Sequence, residues 1–343
     1  MLQRLVILIS TLCFAQACTD TTAQTSAAGF RHGVAGETMP WTHQAFDAAE
    51  DKFTFAVFSD LTGGERPRIF ETAIAQLNLL RPELIINVGD LIEGGTDDQA
   101  VVDTQWKSFD ERAGRASAPV FYVGGNHDLT GEFMRRVWDE RLGQKYYHFV
   151  YKNVLFLVLD TEDNTPERMQ EIFDARMEAL QVFAEEGEEA FSQTTYANLP
   201  ELPAGNVTAE QSQYFLEAIA TNADVRWTFL FMHKAPWLRE DLQAFADIED
   251  ALAERPYTVF HGHEHAFAYL ERRGRDYIQL ATTGGAQIPG KGRSMDQVTL
   301  VTVGKSETDI ANLLMEGILD KTGQVPLGGD DLCFELVNCG AEQ

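Results

Sequence analysis

Short apolar runs that stop abruptly at a residue able to hold a metal ion constrain this chain more than any other feature. Phe53-Thr54-Phe55-Ala56-Val57-Phe58 stops at Ser59-Asp60, and Leu84-Ile85-Ile86-Asn87-Val88 stops at Gly89-Asp90. Val120-Phe121-Tyr122-Val123 leads to Gly125-Asn126-His127-Asp128, Arg226 to Met232 leads to His233, and Tyr257 to Phe260 leads to His261-Gly262-His263-Glu264-His265. Apolar runs this short and this continuous read as strands buried on both faces. Between the first three lie helical spacings. Arg68 to Leu80 carries Ile69, Phe70, Ala73, Ile74, Leu77 and Leu80 and stops before Pro82; the second spans about Gln99 to Arg112. Strands separated by helices predict a layered α/β fold with a largely parallel sheet.

Farther along, Tyr146 to Val150 and Val154 to Leu159 read as a hairpin, and Asp241 to Ala253 as a helix. Tyr277 to Ala281, Gln297 to Val303 and Ile310 to Met315 read as the strands of a second sheet. An acidic insertion, about 162–206, contains Glu185-Glu186-Gly187-Glu188-Glu189; its Met169 to Phe183 part has helical spacing and the rest reads as loop. No repeat of 20–50 residues is present.

The ends carry their own signals. Met1 to Ala17 has one charge, Arg4, before an apolar run from Leu5 to Ala15 that is too short to span a bilayer and fits a secretory signal peptide. Ala15-Gln16-Ala17-Cys18 resembles a bacterial lipobox, which makes Cys18 a candidate lipid anchor; the alternative is ordinary cleavage after Ala-x-Ala. The expected product is exported, either periplasmic or anchored at the outer membrane. Residues 18–50 read as a tether, 51–320 as the folded domain, and 321–343 as a tail in which Cys333 and Cys339 can pair in an oxidising compartment.

With 27 Lys+Arg against 53 Asp+Glu, the formal charge is −26, so the general surface repels a nucleic acid duplex and anionic lipid alike. A small pocket escapes that argument. Taken singly, an Asp after a strand is usually a turn or cap residue, and a lone His is usually structural. Here four of the eight histidines (His127, His233, His263 and His265) fall at strand ends beside Asp60, Asp90 and Asn126.

In order and spelling the five segments resemble the calcineurin-like metallophosphoesterase superfamily, whose pattern is Asp-x-His, Gly-Asp-x-x-(Glu/Asn), Gly-Asn-His-(Asp/Glu), a solitary His and Gly-His-x-His. Asp60-Leu61-Thr62 departs from it, with Thr62 at the usual His; Gly89-Asp90-Leu91-Ile92-Glu93, Gly125-Asn126-His127-Asp128, His233 and Gly262-His263-Glu264-His265 match. The resemblance implies a β sandwich flanked by helices (α/β/β/α) with two divalent metal ions at its edge. By position, Asp60 and His265 would hold the first ion, Asn126, His233 and His263 the second, and Asp90 would bridge them. His127 would be the general acid at the leaving group, oriented by Asp128. Carboxylate, imidazole and amide donors suit Mn, Fe or Zn better than Ca. Two such ions make a nucleophile from water near neutral pH and clamp phosphoryl oxygens, which is hydrolysis of a small phosphorylated substrate.

Around this set, Lys234, Arg66, Lys291 and Arg293 are cations that could grip phosphate or simply be solvated, and Glu65 could stand in for the ligand missing at Thr62. Glu93 fits a supporting position, and His261 reads as a core or capping residue. Two rivals stay open: a degenerate member that binds metal or phosphate without turnover, and an envelope lipoprotein that uses the acidic insertion for protein contacts.

Overall fold

Strand β1 (Phe53–Phe58) divides its side chains between two cores, as the pleat requires. Phe53, Phe55 and Val57 enter a core between two sheets, while Ala56 and Phe58 enter a core beneath helices. The computed structural model describes residues 51–239, 242–288 and 290–339. The expected signal peptide, the Cys18 anchor and the tether lie outside these residues.

Around β1 the chain runs α1 (Ile69–Leu80), β2 (Leu84–Asn87), α2 (Gln99–Ala113), β3 (Val120–Phe121), α3 (Asn126–Leu129) and α4 (Glu132–Leu142). It continues through β4 (Tyr147–Tyr151), β5 (Val154–Val158), α5 (Pro166–Glu186), α6 (Glu188–Phe191), α7 (Ala209–Thr221) and β6 (Trp227–Phe231). Then come α8 (Gln243–Ala251), β7 (Tyr257–His261), β8 (Ala268–Arg272), β9 (Arg275–Gln279), β10 (Gln297–Val303), β11 (Thr308–Leu314) and α9 (Leu336–Cys339). One sheet has the order β11-β10-β1-β2-β3 and the other β4-β5-β6-β7-β9-β8. In the first, β1, β2 and β3 are parallel; in the second, β5, β6, β7 and β9 are parallel.

The sheets pack face to face over Phe53, Phe55, Phe156, Phe229, Phe231 and Phe260. Helices α1, α2 and α4 cover the outer face of the first sheet with Phe70, Trp106, Phe109 and Trp138, and α7 and α8 cover the second with Phe215, Ile219, Phe245 and Ile248. The result is the expected α/β/β/α sandwich. No helix among the described residues is long and apolar enough to cross a membrane.

One expectation needs correction. Gln297–Val303 and Thr308–Leu314 belong to the first sheet, where β10 pairs antiparallel with β1 (Phe55 opposite Val301); only the strand about Tyr277 joins the second. A pattern of apolar residues gives a strand its buried faces but not its neighbour, and β10 meets β1 across most of the chain. Several elements escaped the periodicity reading, among them the short helix α6 (Glu188–Phe191), which lies where the insertion was expected to be loop and has no buried residue to mark it. α4 buries Met134, Val137 and Trp138 at helical spacing, α7 starts where the Thr208 side chain caps the Gln211 amide, and β8 is an exposed edge strand without an apolar face. In the tail, Cys333 and Cys339 are joined by a disulfide, and the Phe334 carbonyl accepts hydrogen bonds from Asp296 N (2.9 Å) and Gln287 Nε2 (2.7 Å).

Phe156 lies at the centre of the inter-sheet core, with ring centroids 4.6 Å from Phe149, 5.4 Å from Phe55 and 5.7 Å from Phe229. Phe156→Ala should cost about 3–5 kcal/mol in urea unfolding, whereas Leu79→Ala on the exposed face of α1 should cost under about 0.5 kcal/mol. Equal effects would contradict this placement of the core.

Candidate metal centre

Parallel strands deliver their carboxyl ends to one edge of a sheet, and both sheets do so at the same end of the sandwich. Asp60 follows β1 and Asp90 follows β2. Asn126 and His127 open α3 after β3, His233 follows β6, and His263 and His265 follow β7. Asn87, the last residue of β2, fixes the relative height of two of these loops. Its Nδ2 donates to Phe121 O (3.0 Å), and its Oδ1 accepts from Gly89 N and Val123 N (both 3.0 Å). At the mouth of β7, a Cβ on Gly262 would lie 2.4 Å from Asp60 Oδ2, so only glycine lets the backbone pass this close to the carboxylate. His263 (φ 75°) and His265 (φ 52°) then adopt left-handed backbone, a strain of about 1–3 kcal/mol each that such sites commonly retain.

Two groups of donor atoms converge here, Asp60–Asp90–His265 and Asp90–His233–His263, each within 4.8 Å, and Asp90 belongs to both. His233 Nε2 lies 3.1 Å from Asp90 Oδ2 and 3.1 Å from Asn126 Oδ1. His265 Nε2 lies 3.6 Å from Asp60 Oδ1. Each of the three grouped histidines faces a backbone carbonyl with its other nitrogen: His233 Nδ1 toward Val88 O (2.8 Å), His263 Nε2 toward Leu202 O (2.7 Å) and His265 Nδ1 toward Ala286 O (2.6 Å). A carbonyl can only accept, so that nitrogen carries a proton in each ring and the opposite nitrogen is the one turned to the cluster, where it becomes a ligand atom once it is deprotonated.

Electrostatics fit the same arrangement. Burial raises the Asp60 carboxyl, in part against the pull of His265 and His233. Burial also opposes charge on Asp90, yet His233 and His127 hold its carboxyl well below the usual range. Burial likewise opposes charge on His233, but Asp90 and Asp60 push it up to about 9. A pair of buried carboxylates that draws a proton onto His233 is a site that favours cations.

His127 stands apart from the grouped donors. Its Nδ1 lies 2.6 Å from Glu93 O, so Nδ1–H donates there, and Nε2 faces the cluster 4.0 Å from Asp90 Oδ2. Burial, reinforced by Arg176, lowers its basicity. Asp128 was expected to orient this ring, and it does not. Its carboxylate accepts from Gly125 N (2.9 Å), Leu91 N (3.0 Å) and Ile92 N (3.2 Å), tying the loop after β2 to the loop after β3. Glu93 works similarly, accepting from the amides of Gly63, Gly64 and Glu65 (3.2, 3.0 and 2.9 Å). Thr62 is fully buried and donates to Ile92 O (3.0 Å), and Glu65 pairs with Arg112, so neither is free to replace a missing imidazole.

Sequence reasoning missed the contribution of the insertion. Leu202 supplies the carbonyl behind His263, and Arg176 on α5 reaches Asn126 O and His127 Nδ1, both at 3.2 Å. A backbone carbonyl leaves no mark in residue type. Arg176 does leave one: it is a charge at a position whose helical neighbours, Ile172 and Ala179, are buried.

The sequence model of the family described as calcineurin-like phosphoesterase matches residues 53–267, more than half of the chain. A dimetal phosphatase from Danio rerio is similar at 14% identity and a TM-score of 0.52, over 76% of this chain and 98% of its own. A purple acid phosphatase from yellow lupin (Lupinus luteus) seeds has 12% identity and a TM-score of 0.49, over 76% of this chain and 51% of its own. At these identities the likeness is one of fold. No curated protein matches the chain in sequence.

The cations considered as phosphate grips are mostly committed elsewhere. Arg66 pairs with Asp296 (2.5 Å) and donates to Cys333 O (3.0 Å), Lys291 pairs with Glu264 (2.5 Å), and Arg293 is exposed. Lys234 is buried, 3.0 Å from Glu162 Oε1 and 2.8 Å from Glu201 O, because the insertion folds over it. Removing one partner of such a pair strands the other charge. Lys234→Met should therefore destabilise the protein by about 3–5 kcal/mol, and adding Glu162→Gln should recover much of the loss in a urea double-mutant cycle. Additive losses would contradict the pairing.

Proposed function

Because the chain belongs to the calcineurin-like phosphoesterase family, we propose that it hydrolyses phosphate esters with two divalent cations, held by Asp60, Asp90 and His265 and by Asp90, Asn126, His233 and His263. The observation that carries this reading is the carboxylate of Asp90 shared by two groups of donors, all buried except the half-buried His263. The donor set fits the cations: three imidazoles oriented by carbonyls, two carboxylates and an amide oxygen form a mixed N/O environment suited to Mn, Fe or Zn. When bound, the cations would supply Lewis-acid polarisation of the phosphoryl group and a nucleophile from water.

The chain's own residues supply the rest. His127, with Nδ1–H committed to Glu93 O, keeps Nε2 toward the cluster, where a proton on it can pass to a departing oxygen. Asp128 and Glu93 hold the loops that carry Asp90 and Gly63 against the His127 loop, so the donor is positioned by backbone rather than by a side-chain dyad. Thr62, bonded to Ile92 O, leaves the Asp60 group with three candidate ligands, which makes it the weaker of the two. That departure is also what a metal- or phosphate-binding protein without turnover would share; the intact Asn126-His127-Asp128 segment favours the enzyme. Export is proposed on the apolar run Leu5 to Ala15 and the Ala15-Gln16-Ala17-Cys18 signal, and the Cys333–Cys339 disulfide agrees with an oxidising compartment.

A phosphate-release screen over ester classes, with Mn, Fe or Zn added, tests the activity. His127→Asn should then lower turnover by about 10²–10⁴ on esters with poor leaving groups and far less on nitrophenyl esters, which depart without a proton. Equal loss on both would remove His127 from this role.

A further inference from the structure

The backbone that supports the Asp60 group is itself held from behind. Between β9 and β10, residues 283–286 run along the loop after β1. Thr283 N and Gly285 N donate to Asp60 O (3.1 and 3.0 Å), and Ser59 N donates to Thr283 Oγ1 (3.1 Å). Ala286 O takes the hydrogen of His265 Nδ1 (2.6 Å). Residue 285 must be glycine here, because a Cβ on it would lie 2.5 Å from Thr62 O and 3.0 Å from His265 Cε1. Two of the three donors in the Asp60–Asp90–His265 group therefore take their position from one stretch of backbone.

Two buried side chains fasten that stretch to the tail. Asp296 accepts from Gly284 N (3.0 Å), Thr282 Oγ1 (2.9 Å) and Gln287 Nε2 (3.1 Å) and pairs with Arg66. Gln287, directly after Ala286, uses both ends of its amide on the tail. Its Nε2 donates to Phe334 O (2.7 Å), and its Oε1 accepts from Leu336 N (2.8 Å). Arg66 adds a hydrogen bond to Cys333 O (3.0 Å). All three tail groups belong to the ring closed by the Cys333–Cys339 disulfide. Phe334 anchors the start of this ring in the core, but α9 buries no residue and Val337 is 85% exposed. Packing gives Leu336 N little reason to stay at Gln287; covalent closure of the ring keeps it there. Cys339 is exposed, so the bond is open to thiols.

We propose that Gln287 is a positioning residue for His265 and Asp60 and that the Cys333–Cys339 ring is the clamp that holds it, so that cation affinity at the Asp60 group depends on the disulfide and affinity at the Asp90–His233–His263 group does not. The second group is supported differently: His233 Nδ1 and His263 Nε2 rest on Val88 O and Leu202 O, carbonyls of other segments. The inference rests on the two-cation reading of the cluster. A dithiol opens the ring by thiol–disulfide exchange, passing two electrons and two protons to the cysteines and becoming a disulfide itself. Where thiols are oxidised the clamp stays closed.

The test titrates the full-length protein with Mn alone, as wild type and as Cys333→Ser/Cys339→Ser. The double variant should bind one of its two ions about 10- to 100-fold more weakly, the usual cost of losing the support behind a ligand, and the other within about twofold of wild type. In an Asp60→Asn background the same two substitutions should leave the remaining ion unchanged, which identifies the ion affected. Gln287→Met with its disulfide intact should match the double variant. In metal-free wild type the His265 Nδ1–H resonance, assigned by its absence in His265→Asn, should be protected from exchange, and reduction with a dithiol should remove that protection. Equal weakening of both ions, as general unfolding would give, no change in either, or a resonance indifferent to reduction would overturn the proposal. If wild type takes up no Mn, the two-cation reading fails, and the resonance alone decides whether the ring positions His265.

Discussion

Everything at the site depends on a carboxylate placed where it should not be stable. Asp90 is 2% exposed, follows a strand in left-handed backbone (φ 58°), and lies in the same pocket as Asp60, which is fully buried. Two buried carboxylates side by side are unfavourable unless cations or protons meet them. His233 at 3.1 Å and the His127 amide at 2.9 Å stabilise Asp90 in part. The remaining imidazoles turn their other nitrogens inward because carbonyls occupy the outer ones.

The two-sheet architecture makes that concentration feasible. A single parallel sheet presents its strand ends in a row, whereas two sheets packed face to face present two rows across a cleft. Asp60, Asp90 and Asn126 come from one, and His233, His263 and His265 from the other. The Phe-rich core between the sheets sets their separation, so packing far from the cluster determines whether His233 reaches Asp90. The insertion adds a third wall through Arg176 and Leu202.

Much of this was legible in residue order, since polar residues that end apolar runs have few reasons to exist except a site at the strand ends. The six candidate ligands and His127 all reach one edge, and the buried strands announced themselves by continuous apolar runs. Three kinds of information were hidden. Pairing between distant strands, β10 with β1, is a matter of register and topology rather than composition. Carbonyl partners such as Leu202 O and Ala286 O belong to the backbone, which any residue supplies. Asp128 was misjudged because a motif names neighbours in sequence, while its carboxylate turns to the amides of Leu91, Ile92 and Gly125. Lys234, next to the solitary His233, is likewise taken by Glu162 instead of facing substrate.

Sharing of Asp90 between the two donor groups is the central claim, and equilibrium metal titration reads it directly. With Mn in excess, wild type should take up two ions per chain. Asp60→Asn should weaken one of them and leave the other near its wild-type affinity, whereas Asp90→Asn should weaken both. An Asp90→Asn protein that still binds one ion with wild-type affinity would show that the carboxylate serves a single site, and the two-cation account would fail.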